Sequence, residues 1–122
     1  MKKKILITDD DVAIQRVCKD ALENAGYAVE CANDGTEAIS CVESVKPDLI
    51  LLDMLMPDAS GWDVLTFLSD KAPTIPVIIM SNVWSPEREA EALHSGAVDY
   101  IQKTDMSLED VVKRVSKELV EA

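Results

Sequence analysis

No apolar run in this chain can cross a bilayer: Leu49 to Leu52 and Val77 to Met80 fall far short of the roughly 20 residues that a spanning helix needs. Positive charge is scarce as well. Twelve lysines and arginines against twenty-three aspartates and glutamates give a formal charge of −11. That sign repels phosphodiester backbones and anionic lipid heads, so direct binding to nucleic acid or to a membrane is disfavoured. Cysteine is limited to Cys18, Cys31 and Cys41, and histidine to His94, with neither a CxxC pair nor a metal-ligand spacing among them. Odd in number and set in apolar patterns, the cysteines read as small core residues in a reducing compartment. The basic start Met1 to Lys4 is followed only by Ile5 to Ile7 before Thr8 and three aspartates, too short for the apolar core of a secretory signal. The expected location is the cytoplasm.

What is there suits one compact domain over residues 1–122, with 48% hydrophobic and 29% charged composition and no effector domain expected in this chain. Five strand-length runs stand out: Ile5 to Thr8, Ala28 to Ala32, Leu49 to Met54, Val77 to Ser81 and Tyr100 to Gln102. Helical periodicity fills the spaces between them. The first helix carries Ile14, Val17, Cys18, Ala21 and Leu22 on one face and closes near Gly26. Asp34 caps a second helix with apolar Ala38, Ile39, Val42 and Val45, ended by Pro47. A third runs from Gly61 to Lys71 with Trp62, Leu65 and Leu68, before Pro73 and Pro76. Ser85-Pro86-Glu87 opens a fourth with little beyond Ala90 and Leu93 to bury, so it should be weakly anchored. Ser107 to Asp110 opens the last helix, whose Leu108, Val111, Val112, Val115 and Leu119 form a full stripe that should dock firmly.

Strand and helix alternating five times require crossover connections, hence parallel strands with helices on both faces: an open α/β sandwich. The middle strands are continuous apolar runs, as strands covered on both sides should be.

Ligands of such sheets bind beyond the carboxyl ends of the strands. The first run ends in Asp9 and Asp10, the third in Asp53, the fourth in Ser81 and the fifth in Lys103. Three converging carboxylates resist ionising together unless a cation joins them, and an all-oxygen set suits a hard ion, magnesium above all. Magnesium is commonly shared with a phosphate, which the Lys103 ammonium and the Ser81 hydroxyl are suited to hold. Asp53 is then the candidate nucleophile for an aspartyl phosphate. An aspartate after a strand is more often a cap or turn former, and Asp11, Asp34, Asp58 and Asp63 are read that way. Asp53 is read differently because it follows Leu49 to Leu52 directly, where an isolated carboxylate is costly without a partner.

Together, Ile5-Leu-Ile-Thr-Asp-Asp10, Asp34-Gly-Thr-Glu-Ala38, Pro47-Asp-Leu-Ile-Leu-Leu-Asp-Met54, Met56-Pro57, Ser60-Gly61, Pro76-Val-Ile-Ile-Met-Ser81, Gly96-Ala97 and Tyr100-Ile-Gln-Lys103 carry a resemblance. From Lys3 to about Val120 the chain resembles the receiver domain of bacterial two-component response regulators, chemotaxis regulators included. The resemblance implies a flavodoxin-like (βα)5 fold, doubly wound, with a five-stranded parallel sheet in order 2-1-3-4-5. It implies transfer of a phosphoryl group from a histidine kinase, or a phosphotransfer protein, to Asp53. Magnesium would be held by Asp10, Asp53 and the Leu55 backbone carbonyl, and by Asp9 through water. Ser81 and Lys103 would bind phosphoryl oxygens, and Tyr100 would be the aromatic whose rotation reports phosphorylation. Such a domain is a phosphoacceptor rather than an enzyme.

Two departures stand out. Thr104 follows Lys103 where the family commonly has a cis proline, so a trans turn is expected, and Asn82 stands where a small residue is usual. Leu55 and Val83 occupy positions that tune phosphoryl lifetime in the family, and neither can orient water, so slow autodephosphorylation is expected. Phosphorylation should act on the face from the fourth helix through the fifth strand to the fifth helix, the surface for a downstream protein or for a homodimer. An aspartyl-phosphate hydrolase would need an acid at Leu55 and a cap domain. A flavin carrier would need a phosphate loop where Asp9 to Asp11 stand. The competing reading is a degenerate receiver that binds proteins without being phosphorylated.

Overall fold

A computed structural model describes residues 2–55 and 61–119, so Met56, Pro57, Asp58 and Ser60 of the expected motifs lie outside the described residues. The elements run β1 Lys4–Thr8, α1 Val12–Asn24, β2 Ala28–Ala32, α2 Gly35–Val45, β3 Leu49–Asp53, α3 Gly61–Lys71, β4 Val77–Ser81, α4 Pro86–His94, β5 Asp99–Gln102 and α5 Leu108–Leu119. Lys103–Asp105 forms a single 3₁₀ turn before α5. All pairings are parallel and the order is β2-β1-β3-β4-β5, the doubly wound arrangement expected. Among the described residues, no helix is long and apolar enough to cross a membrane.

Alternate residues along each strand feed two cores, because successive side chains point to opposite faces. Ile5, Ile7, Leu49, Leu51, Ile78, Met80 and Ile101 pack with Cys18 and Leu22 of α1 and with Val111 and Val115 of α5. Leu6, Ile50, Leu52, Val77 and Ile79 pack with Ala38 and Val42 of α2, with Val64, Leu65 and Leu68 of α3, and with Ala92 of α4. β3 and β4 are buried along their whole length, which explains their unbroken apolar sequence.

Local signals set most boundaries. The side chains of Asp11, Asp34 and Ser85 accept backbone N–H groups at the starts of α1, α2 and α4, satisfying donors that the first helical turn leaves free. Ser107 Oγ accepts the Asp110 N–H in the same way. Asp11 and Asp34 are therefore helix caps, as their sequence context suggested. Gly26 follows α1 with φ +102, a conformation few other residues adopt cheaply.

Several details of the expected burial are corrected, among them Leu108, which is 38% exposed at the start of α5 rather than part of its docked stripe. Val17 of α1 and Leu93 of α4 are 42% exposed, and Ala90 is exposed too, while α4 buries only Ala92. A small residue against Ala97 and Tyr100 seats α4 by backbone approach, which turns Leu93 outward. In α1 the buried residues are Gln15, Cys18 and Leu22, with Ile14 packed at their edge, and Val17 falls on the solvent side of that stripe. Of the cysteines only Cys18 is fully buried, and Cys31 and Cys41 are partly exposed. Burial pushes the Cys18 thiol up to about 11, so it stays protonated and unreactive at neutral pH.

Candidate functional site: an acidic pocket at the carboxyl ends of the strands

Strand register assembles the pocket. β1 and β3 are paired so that Thr8 lies against Leu52, which brings the residues that follow, Asp9 and Asp53, side by side. Both carboxylates are almost fully removed from water, at 0% and 4% exposure, while Asp10 is exposed. Carboxylate oxygens of Asp9, Asp10 and Asp53 lie within 4.8 Å of one another.

Buried carboxylates at this spacing need a cation. Lys103, carried in by the end of β5, supplies one. Its Nζ lies 2.6 Å from Asp9 Oδ2 and 3.2 Å from Asp53 Oδ2, with 7% of its side chain exposed. The remaining oxygens are held by backbone: Asp9 Oδ1 accepts the Asp11 N–H at 2.9 Å, and Asp53 Oδ1 accepts the Leu55 N–H at 3.1 Å. Burial pushes the Asp53 carboxyl above its ordinary range, and the Asp9 charge adds to the rise, against the Leu55 N–H and the Lys103 ammonium, which pull it down. Burial by itself would lower Lys103, but the hydrogen bond and charge of Asp9, with those of Asp53, outweigh it and raise the ammonium.

Above these groups opens a cleft of about 560 Å³, whose walls include Asp10, Asp53, Leu55, Asn82, Lys103 and Thr104. Among the described residues there is no cis peptide, so the Lys103–Thr104 bond is trans, and Lys103 still reaches both acids. Gly61 packs against the backbone that follows β3: its N–H meets the Met54 carbonyl at 3.2 Å. A Cβ there would sit 2.6 Å from the Asp53 carbonyl oxygen and 2.4 Å from the Met54 Cα.

Ser81 and Tyr100 stand behind the cleft. Ser81, at the end of β4, is 1% exposed and its Oγ accepts the Val83 N–H at 3.2 Å. Tyr100 is also buried, at 6% exposure, and its hydroxyl donates to the Val83 carbonyl. Val83 therefore joins the residue expected to bind phosphoryl oxygens to the aromatic expected to report phosphorylation. Nearby, the Trp84 indole N–H donates to Glu89 of α4 at 2.8 Å.

Two polar residues in this region carry no expectation from the sequence. Gln15, buried on α1, donates from Nε2 to the Asp9 backbone carbonyl and, at 2.8 Å, to Asn33 Oδ1. The available signal was a glutamine on the apolar stripe it shares with Cys18 and Leu22, where an amide must have partners.

The parallel order 2-1-3-4-5 thus brings two buried aspartates, from the ends of β1 and β3, to a lysine that follows β5. The family model "Response regulator receiver domain" matches residues 5–116. The chain belongs to the response regulator receiver family. It is 33% identical over 115 residues to the response regulator MprA of Mycobacterium bovis, covering 94% of this chain and 50% of that protein. Among solved structures it is similar to the receiver domain of Francisella response regulator 1452, with TM-score 0.90, 33% identity and 96% coverage of each chain. It is likewise similar to a CheY-like receiver domain protein from Methanospirillum hungatei, with TM-score 0.91, 32% identity, and 98% and 94% coverage of the two chains. The chain spans about half the length of the curated relatives it matches. Receivers of this family work in two-component signalling, and switching on phosphorylation is their general function.

Proposed function

We propose that this receiver accepts a phosphoryl group on Asp53 from the phosphohistidine of a histidine kinase or phosphotransfer protein. The observation that carries the reading is the Lys103 ammonium seated between Asp9 and Asp53, beside an all-oxygen acidic cluster. In the step, a carboxylate oxygen of Asp53 attacks phosphorus, the phosphorus–nitrogen bond breaks, and the imidazole keeps the electron pair and takes a proton. Asp9, Asp10 and Asp53, with the Leu55 carbonyl, would hold magnesium, which suits a hard-oxygen donor set. A bound magnesium ion supplies charge neutralisation to the phosphoryl oxygens. Asp53 is the nucleophile, and Lys103 trades its contact with Asp53 for one with the transferred group.

Phosphorylation adds about 1.5 to 2 negative charges next to Lys103. The Ser81 hydroxyl, in reaching the phosphoryl group, gives up the Val83 N–H, and the Tyr100–Val83 bond carries that movement to β5. The output is a change on the α4–β5–α5 face, which contacts a downstream protein or a second copy of the chain. The role is that of a cytoplasmic phosphoacceptor rather than an enzyme, with no direct contact to nucleic acid or membrane. Leu55 and Val83, 57% and 39% exposed, place no water-orienting group at the phosphoryl site, so hydrolysis is slow.

Intact-mass spectrometry after incubation with magnesium and acetyl phosphate tests this. One phosphate adduct is expected, absent in Asp53→Asn and without magnesium, and decaying slowly. A folded wild-type protein that takes no adduct overturns the proposal and leaves a phosphorylation-independent binding module.

A further inference from the structure

The residue that aims the acidic turn lies outside the motif that defines it. Asp9 is hydrogen-bonded at its N–H, its carbonyl and Oδ1, while its buried Oδ2 has the Lys103 ion pair but no further hydrogen bond among the described residues. Its N–H donates to the Ala32 carbonyl of β2 at 3.1 Å, Oδ1 accepts from Asp11, Oδ2 faces Lys103, and its carbonyl accepts from Gln15. The first bond belongs to the end of the sheet. The carboxylate bonds are ones that a cation or a phosphoryl group rearranges. The Gln15 amide is the remaining anchor, and it acts on the peptide between Asp9 and Asp10.

That peptide decides where the Asp10 side chain points. Asp9 is buried and Asp10 exposed, so rotating the peptide that joins them swings the Asp10 carboxylate relative to Asp9 and Asp53. Gln15 resists that rotation from a firm base. It is 8% exposed, it sits on the α1 stripe with Cys18 and Leu22, and its second N–H is held by Asn33 in the loop after β2. Both amide hydrogens are committed, so the side chain has one satisfied orientation. Without it the Asp9 carbonyl would lose its side-chain partner in a buried place, which backbone movement would relieve.

We propose that Gln15 is a positioning residue: it holds the Asp9–Asp10 peptide so that the carboxylates on either side stay converged on Asp53, and so sets how tightly the pocket takes a divalent cation. The inference rests on the magnesium-dependent reading of the pocket but is tested apart from phosphotransfer. Supporting side chains that orient ligands typically change metal affinity by 10- to 100-fold when lost.

The probe is magnesium chloride, titrated calorimetrically into the unphosphorylated protein, with amide hydrogen exchange at Asp11 measured in its absence. In Gln15→Met, which keeps length and apolar packing but has no donor, magnesium should bind about tenfold more weakly. The Asp11 amide, which donates to Asp9 Oδ1, should exchange faster, while the Cys18 amide in mid-helix keeps its wild-type rate. Asn33→Ala should shift affinity the same way by less, and the double variant should match Gln15→Met, since both act through one amide. A folded Gln15→Met with wild-type magnesium affinity overturns the proposal, even with lowered thermal stability. If Gln15→Met does not fold, Asn33→Ala decides: weaker magnesium binding supports the role and wild-type binding overturns it. If wild type itself binds no magnesium, the reading of the pocket fails instead, and the inference with it.

Discussion

α4 and α5 flank the same edge of the sheet, yet they are held by different means. α5 buries Val111 and Val115 completely, its Ser116 meets the Tyr27 hydroxyl at 2.8 Å, and Arg114 reaches Asp99 and Asp110. α4 buries Ala92 alone and leaves Leu93 at its surface. Its start is well made, with Ser85 capping and a proline in the first turn, so α4 is a good helix loosely attached. Capping stabilises a helix whatever it packs on, whereas apolar burial fixes where it sits. A helix of this kind has little apolar burial to oppose its shifting as a unit, whereas α5 is fixed by its own.

The comparison breaks if the pocket, rather than helix packing, is the main anchor at this end of the sheet. Lys103→Met tests that with the largest expected effect, because it leaves two buried carboxylates without their cation. Urea unfolding should show a loss of about 3 to 5 kcal/mol, reduced on adding magnesium. Leu22→Ala, in the core that α1 shares with α5, should cost about 3 kcal/mol in the same assay.

Asp53→Asn sharpens the contrast by removing the buried charge. The folded state raises the Asp53 carboxyl above its ordinary 3.8, so the folded chain holds this proton more tightly than the unfolded one. Its stabilising contribution is complete below pH 3.8 and is lost as pH rises through the raised value. Asparagine cannot ionise, so the variant should melt higher than wild type near neutral pH, with the gap closing in acid. Thermal scans across pH 3 to 8 read the sign directly, and an unchanged gap would show that Lys103 fully offsets the burial. The smallest effect is expected of Leu93→Ala, within about 0.5 kcal/mol in urea unfolding. A cost near that of Leu22→Ala would mean that α4 is anchored after all.

Much of this was legible in the residues. Continuous apolar runs marked β3 and β4 as buried on both faces, and acids and a lysine at strand ends marked the pocket. The misreadings within α1 and α4 share one cause. Val17, Ala90 and Leu93 were assigned inward from hydrophobicity, but a helix that rests on one small residue, such as Ala92, or a narrow stripe, such as Gln15 to Leu22, has no room for them below. Gln15 escaped notice because its partners lie elsewhere, one on the Asp9 backbone and the other on Asn33.

By itself the sequence determined the alternating architecture, the caps and the chemistry available at the strand ends, since periodicity, capping and residue type act over a few neighbouring positions. Tertiary structure decided which acid is buried, where Lys103 rests and what holds the acidic turn. Those depend on the alignment of Thr8 with Leu52 and of Ser81 with Gln102. Such registers join segments far apart in the chain, and a displacement of one residue would turn each side chain to the opposite face.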